Sequence, residues 1–189
     1  MSPTKEFTIG GKLTLSVVLG DIVQTEADAL ISAVDHAGPW AGELNVAIVG
    51  VAGPMFQTQA SVEYRFRRPP AVVAKKVSAH QGKFGDVVFV TDNPDRGLSA
   101  VVVSALTAAD DSGYRHVSLP PIRMEVVLER GRRVVRALER EVRQAAAEIV
   151  SGIYAFATRR PTRSIQKISL VVHTQRQPDM YDALIRVFD

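Results

Sequence analysis

The sequence predicts an α/β sandwich on a mostly parallel central sheet. Two observations carry this. Short apolar runs of strand length alternate with longer segments of helical periodicity after residue 20, and most strand-like runs stop at a polar or proline break. Such alternation places helices between parallel strands. A length of 189 residues allows several packed layers, and one domain spanning 1–189 is expected.

The elements follow in order. Residues 12–19 read as a strand, with Leu13, Leu15 and Val17 on one face. Residues 29–33 form a short apolar run, as for a strand covered on both faces. Leu44, Ala47, Ile48, Val51 and Ala52 recur with helical spacing, and Gly53-Pro54 interrupts that helix. A second helical piece over 57–66 runs into a basic, proline-containing break at 67–70. Residues 87–91 read as a strand closed by Asp92-Asn93-Pro94, with Asp92 and Asp95 as turn residues. Residues 98–111 carry one apolar helical face, and Gly113 suits its C-terminal cap. A strand over 116–119 ends in Pro120-Pro121. A long helix covers much of 126–150, a strand covers 168–173, and a last helix covers 180–188. In a sheet of this kind, ligands sit beyond the carboxyl ends of the strands. Asp21, Asp35, Thr91, Pro120 and His173 fall at such ends.

Composition removes several function classes. Cysteine is absent, which excludes disulfides and thiolate metal sites. His36, His80, His116 and His173 lack metal-ligand spacing, so neither metal nor cofactor is expected. No apolar run reaches about 18 residues, so no membrane partner is expected. The N-terminus lacks a basic-then-apolar leader pattern, which makes the cytoplasm the expected compartment. Arginines cluster at 65–68 and 130–143, but Glu125, Glu129, Glu139, Glu141 and Glu148 interleave with the second cluster. That pattern suits a solvated helix laced with ion pairs. No aromatic residue lies among the arginines of the second cluster to stack bases, so nucleic acid is not the expected partner.

Three motifs occur in a fixed order: Gly20-Asp21-Ile22, then Ala27-Asp28-Ala29-Leu30-Ile31-Ser32-Ala33, then Ala52-Gly53-Pro54. Their order and spacing resemble the macrodomain family, whose members bind ADP-ribose and related nucleotides. The resemblance extends over most of residues 12–188. It implies a three-layer α/β/α sandwich with a mixed, mostly parallel sheet. It also implies that Asp21 accepts from an adenine amino group and that the Ile22 amide supports the ring. The alternative for Asp21 is a turn cap. Asp35 stands where the family has an asparagine that holds the distal ribose, and it also suits a turn. His173 stands near the expected adenine position, with a structural role as the alternative.

Both phosphate loops depart from the family pattern. Gly38 and Gly42 remain of a glycine run that now contains Trp40, with Glu43 following it. A carboxylate about 4 Å from a phosphate charge costs about 4 kcal/mol at an effective dielectric of 20. Glu43 escapes this if it faces solvent or the helix N-terminus. Arg123, Met124 and Glu125 occupy the place of a Ser-Thr-Gly segment; Arg123 offers a bidentate anion fork, while Met124 and Glu125 offer a block. Asn45 matches an aspartate of the hydrolytic members and lacks a carboxylate's basicity. No lysine follows the middle strand, where another hydrolytic branch carries one. No catalytic residue is therefore assigned.

The resulting expectation is a module that binds an ADP-ribose-related or other nucleotide-like ligand without hydrolysing it. Two alternatives stand beside it: a protein-interaction scaffold with a filled crevice, and an ADP-ribosyl hydrolase. The sequence leaves the oligomeric state open.

Overall fold

A computed structural model describes residues 4–35, 42–67, 69–93, 95–123, 135–173 and 178–188. The strands are β1 (Thr4–Ile9), β2 (Leu13–Leu19), β3 (Ala27–Asp35), β4 (Ala71–Ala74), β5 (Phe84–Asp92), β6 (His116–Leu119) and β7 (Lys167–Val172). The helices among the described residues are α1 (Glu43–Ala52), α2 (Met55–Arg67), α3 (Leu98–Asp111), α4 (Val135–Arg159) and α5 (Pro178–Phe188). One mixed sheet runs in the order β1-β2-β7-β6-β3-β5-β4. The outermost pairs, β1 with β2 and β4 with β5, are antiparallel, and the other pairs are parallel.

The sheet separates two cores, which gives the expected three layers. Ala29 and Ile31 of β3 and Val88 and Val90 of β5 face α3, α4 and α5. Leu30 and Val34 of β3 and Val87 and Phe89 of β5 face α1 and α2. The continuous apolar run in β3 is the mark of a strand covered on both sides. In α4, Val142, Ala146, Ile149, Ile153 and Phe156 follow the helical period and are buried against the sheet. The helix continues to Arg159, nine residues past the expected end.

Two strands lie outside the sequence expectation. β1 pairs with β2 through a tight turn in which Gly10 and Gly11 both take positive φ, +56° and +71°. That geometry favours glycine and twists the two strands into register. β4 is a four-residue edge strand, too short to show periodicity.

At the floor of the sheet, opposite the carboxyl edge, Lys75, Asp86 and Tyr114 are joined. The Lys75 ammonium lies 3.1 Å from Asp86 and donates to the Tyr114 hydroxyl at 2.7 Å; that hydroxyl donates to Asp86 at 2.6 Å. Burial, then the bond to Asp86, pushes the Tyr114 phenol from 10.0 up to about 12. Lys75 is raised as well, first by its bond to the Tyr114 hydroxyl.

Both groups hold their protons more tightly in the folded chain. Their stabilisation is complete below about pH 10 and is lost as the pH rises toward about 12. The melting temperature is expected to fall over that interval, and less steeply in Tyr114→Phe. Thermal melts of both proteins from pH 9 upward check this.

Helix packing gives a second test. A Cβ on Gly152 of α4 would lie 2.8 Å from the Ser99 carbonyl oxygen and 2.8 Å from Val102 Cβ of α3. Gly152→Ala is expected to cost about 1–3 kcal/mol by overpacking, outweighing the helix-propensity gain of about 1 kcal/mol. Gly50 of α1 has open space around that position, so Gly50→Ala should stabilise by about 0.5–1 kcal/mol. Denaturant midpoints of the two variants should move in opposite directions.

Candidate functional site

Parallel pairing brings the ends of β2, β7, β6, β3 and β5 to one edge, in that spatial order. Asp21, His173, Arg123, Asp35 and Asp92 follow or end these strands in the same order. β2 and β3 are three strand spacings apart, about 14 Å.

At the β2 end, the Gly20 N–H donates to the Val172 carbonyl at 2.8 Å, which ties β2 to β7. Asp21 is exposed and caps a 3-10 turn over Ile22–Gln24, accepting from Val23 N at Oδ1 (3.1 Å). Its backbone carbonyl accepts from Thr25 Oγ1 at 2.9 Å. Ile22 is half-buried and packs on the core beneath α1. Asp21 thus has the cap geometry weighed for it, and one carboxylate oxygen fulfils that role. His173 is exposed at the end of the neighbouring strand.

At the β3 end, Asp35 is exposed and its Cα pairs with that of Asp92 on β5. Gly42 precedes α1 with φ +124°, a conformation that favours glycine. Glu43 is exposed in the first helical turn, where the helix dipole favours a carboxylate. Asn45 is 2% exposed. Ser32 Oγ donates to Asn45 Oδ1 at 3.3 Å, and Gln57 Nε2 donates to the Asn45 carbonyl at 3.4 Å. These contacts join Asn45 to β3 and α2 beneath the edge.

At the β6 end, Pro121 and Ile122 are buried, and the Ile122 N–H donates to the Pro120 carbonyl at 2.9 Å. Arg123 follows with φ +65°, the one positive φ of a non-glycine among the described residues. Its guanidinium grips Asp92: Nε donates to both carboxylate oxygens at 2.8 and 3.1 Å, and Nη2 also contacts Oδ1. Nη2 further donates to the Asn93 carbonyl at 2.9 Å and the Arg96 carbonyl at 3.0 Å. Hydrogen bonding to Asp92 holds the guanidinium above its ordinary pKa, outweighing the effect of burial. Met124, Glu125 and Trp40 lie outside the described residues.

Asp92 corrects one expectation. It is the last residue of β5 and the partner of Arg123. Asn93 makes the local turn instead, accepting from Asp95 N at 3.0 Å. Glu148 also emerges here: Oε2 accepts from Leu98 N at 2.9 Å and so caps α3 from α4. Neither partnership has a local sequence signal, since 31 and 50 residues separate the partners. Among the described residues, no group of histidine, aspartate or glutamate is arranged to hold a metal, and no helix is long and apolar enough to cross a membrane.

No family model matches the chain, and no curated protein matches it in sequence. Solved structures do match. A macrodomain from Oceanobacillus iheyensis with ADP aligns at TM-score 0.70 and 14% identity, covering 99% of this chain and 95% of that one. The same organism's macrodomain with MES bound aligns at TM-score 0.69, 14% identity and coverages of 99% and 96%. The chain has the macrodomain fold. A Trypanosoma brucei macrodomain in complex with ADP-ribose aligns at TM-score 0.66 and 16% identity, over 91% of this chain and 68% of that chain. At such identities the likeness is one of macrodomain fold, and the chemistry of the edge rests on this chain's own residues.

Proposed function

We propose that the carboxyl edge binds an adenine nucleotide related to ADP-ribose and holds it without hydrolysis. The observation that carries this reading is Asp21. It is an exposed carboxylate at the end of β2, and its turn cap uses Oδ1. A carboxylate accepts and does not donate, so Oδ2 suits an exocyclic amine. His173 on the next strand end gives the base an aromatic neighbour. The ADP and ADP-ribose complexes of structures sharing the fold support the ligand class.

Asn45 supports the non-hydrolytic half. It is buried, engaged by Ser32, and carries no carboxylate to activate water. Domain 1–189 acts as one binding unit in this reading. A second reading, a scaffold whose crevice is closed to nucleotides, draws on the Arg123–Asp92 pair at the same edge. Calorimetry with ADP-ribose, ADP, AMP and NAD separates the two: heat with an adenine nucleotide supports the first, and none from a folded sample supports the second.

Asp21→Asn tests the assignment directly. Asparagine is an equally good cap, so stability should change by less than about 0.5 kcal/mol. Its amide nitrogen would then meet the adenine amine donor to donor. AMP affinity is expected to fall by about tenfold or more, while the 6-oxo analogue inosine monophosphate should bind better than to the parent protein. Equal AMP affinity in both proteins would remove Asp21 from the site.

A further inference from the structure

We propose that Arg123 is the anion-selecting residue of this edge, held in reserve by Asp92 and transferred to a phosphoryl group of the ligand by exchange. The inference rests on the nucleotide-binding reading and adds what selects the phosphate.

Topology supplies the first argument. β3 lies between β6 and β5, so a residue after β6 that grips the last residue of β5 reaches across the end of β3. The span is two strand spacings, about 10 Å. A ligand lying along the edge from β2 meets this pair. Asp35 stands beside Asp92 in register on β3. A phosphate approaching Asp92 needs a cation to be accepted there, and Arg123 is already engaged at that position.

Chemistry supplies the second. A carboxylate and a phosphate make the same bidentate demand on a guanidinium fork. The side chains of Arg123 and Asp92 are 27% and 22% exposed, so solvent and ligand reach the pair. The carbonyls of Asn93 and Arg96 hold Nη2 independently of Asp92. They keep the fork in place while its anionic partner changes. Nη1 has no hydrogen-bond partner among the described residues, which leaves it as a donor for an incoming oxygen.

Backbone conformation supplies the third. A non-glycine residue at φ +65° is disfavoured, and persists where surrounding contacts fix it. The bonds from Nη2 to the Asn93 and Arg96 carbonyls are contacts of that kind that do not involve Asp92.

The test separates anion from base. Calorimetry is run with inorganic diphosphate and, separately, with adenosine. Asp92→Asn weakens the internal competitor while leaving an amide oxygen for the fork. Diphosphate affinity is expected to rise by about tenfold, with adenosine affinity unchanged. In Asp92→Asn combined with Arg123→Gln, that gain should vanish. An unchanged diphosphate affinity in Asp92→Asn, or a gain that survives loss of the arginine, overturns the exchange. Adenosine binding is scored alone, so its absence counts against the adenine reading without touching the anion result. In the unaltered chain, the Arg123 Nε–H resonance should shift saturably as diphosphate is added. A resonance that stays fixed at saturation also overturns the proposal.

Discussion

The architecture of the edge depends on β3 being covered on both faces and paired on both sides. Leu30 and Ile31 are fully buried toward opposite layers, while β5 and β6 flank the strand in parallel. A one-residue slip would exchange the faces and set these side chains against the wrong helices. The register is therefore strongly specified. It carries Asp35 to the edge beside Asp92, and it fixes the distance Arg123 must reach. The polar features at this edge inherit their positions from apolar packing below it.

Below the edge, the two layers meet the sheet differently. α3 and α4 approach so closely at Gly152 that no side chain fits between their backbones. α1 instead joins the sheet partly through buried polar groups, with Asn45 between Ser32 and Gln57. Buried hydrogen bonds specify one arrangement more sharply than apolar contacts of equal area. The first turn of α1 is thus tied to β3 and α2 through Asn45.

Legibility in the sequence followed the range of the interaction. β3, β6 and α3 were readable because burial on one or both faces leaves a local pattern. The hairpin of β1 and β2 had its own local sign in Gly10-Gly11, but the polar alternation of Thr4–Ile9, an edge strand, hides its periodicity. β4 is too short to carry one. At the edge, the capping of Asp21 follows from two adjacent residues and was legible as an option. Arg123 was legible as a fork but not as an engaged one. Its partner lies 31 residues earlier, on a strand separated from β6 by β3. Asn45 is legible only through the motif it resembles, and its burial depends on Ser32 and α2, which lie outside its immediate neighbours in the sequence.

The cap that Glu148 places on α3 has a wider consequence. Helix N-termini are natural anion seats, and α1 and α3 both begin at the carboxyl edge. In α3, a carboxylate from α4 already satisfies Leu98 N. In α1, Glu43 occupies the first turn, and Asp92 occupies the arginine fork. A carboxylate of the chain itself stands at each of these three positive points. An anion arriving at any of them would enter by substitution rather than by addition. Selection at such a point would then rest on shape and on the cost of displacing the resident carboxylate.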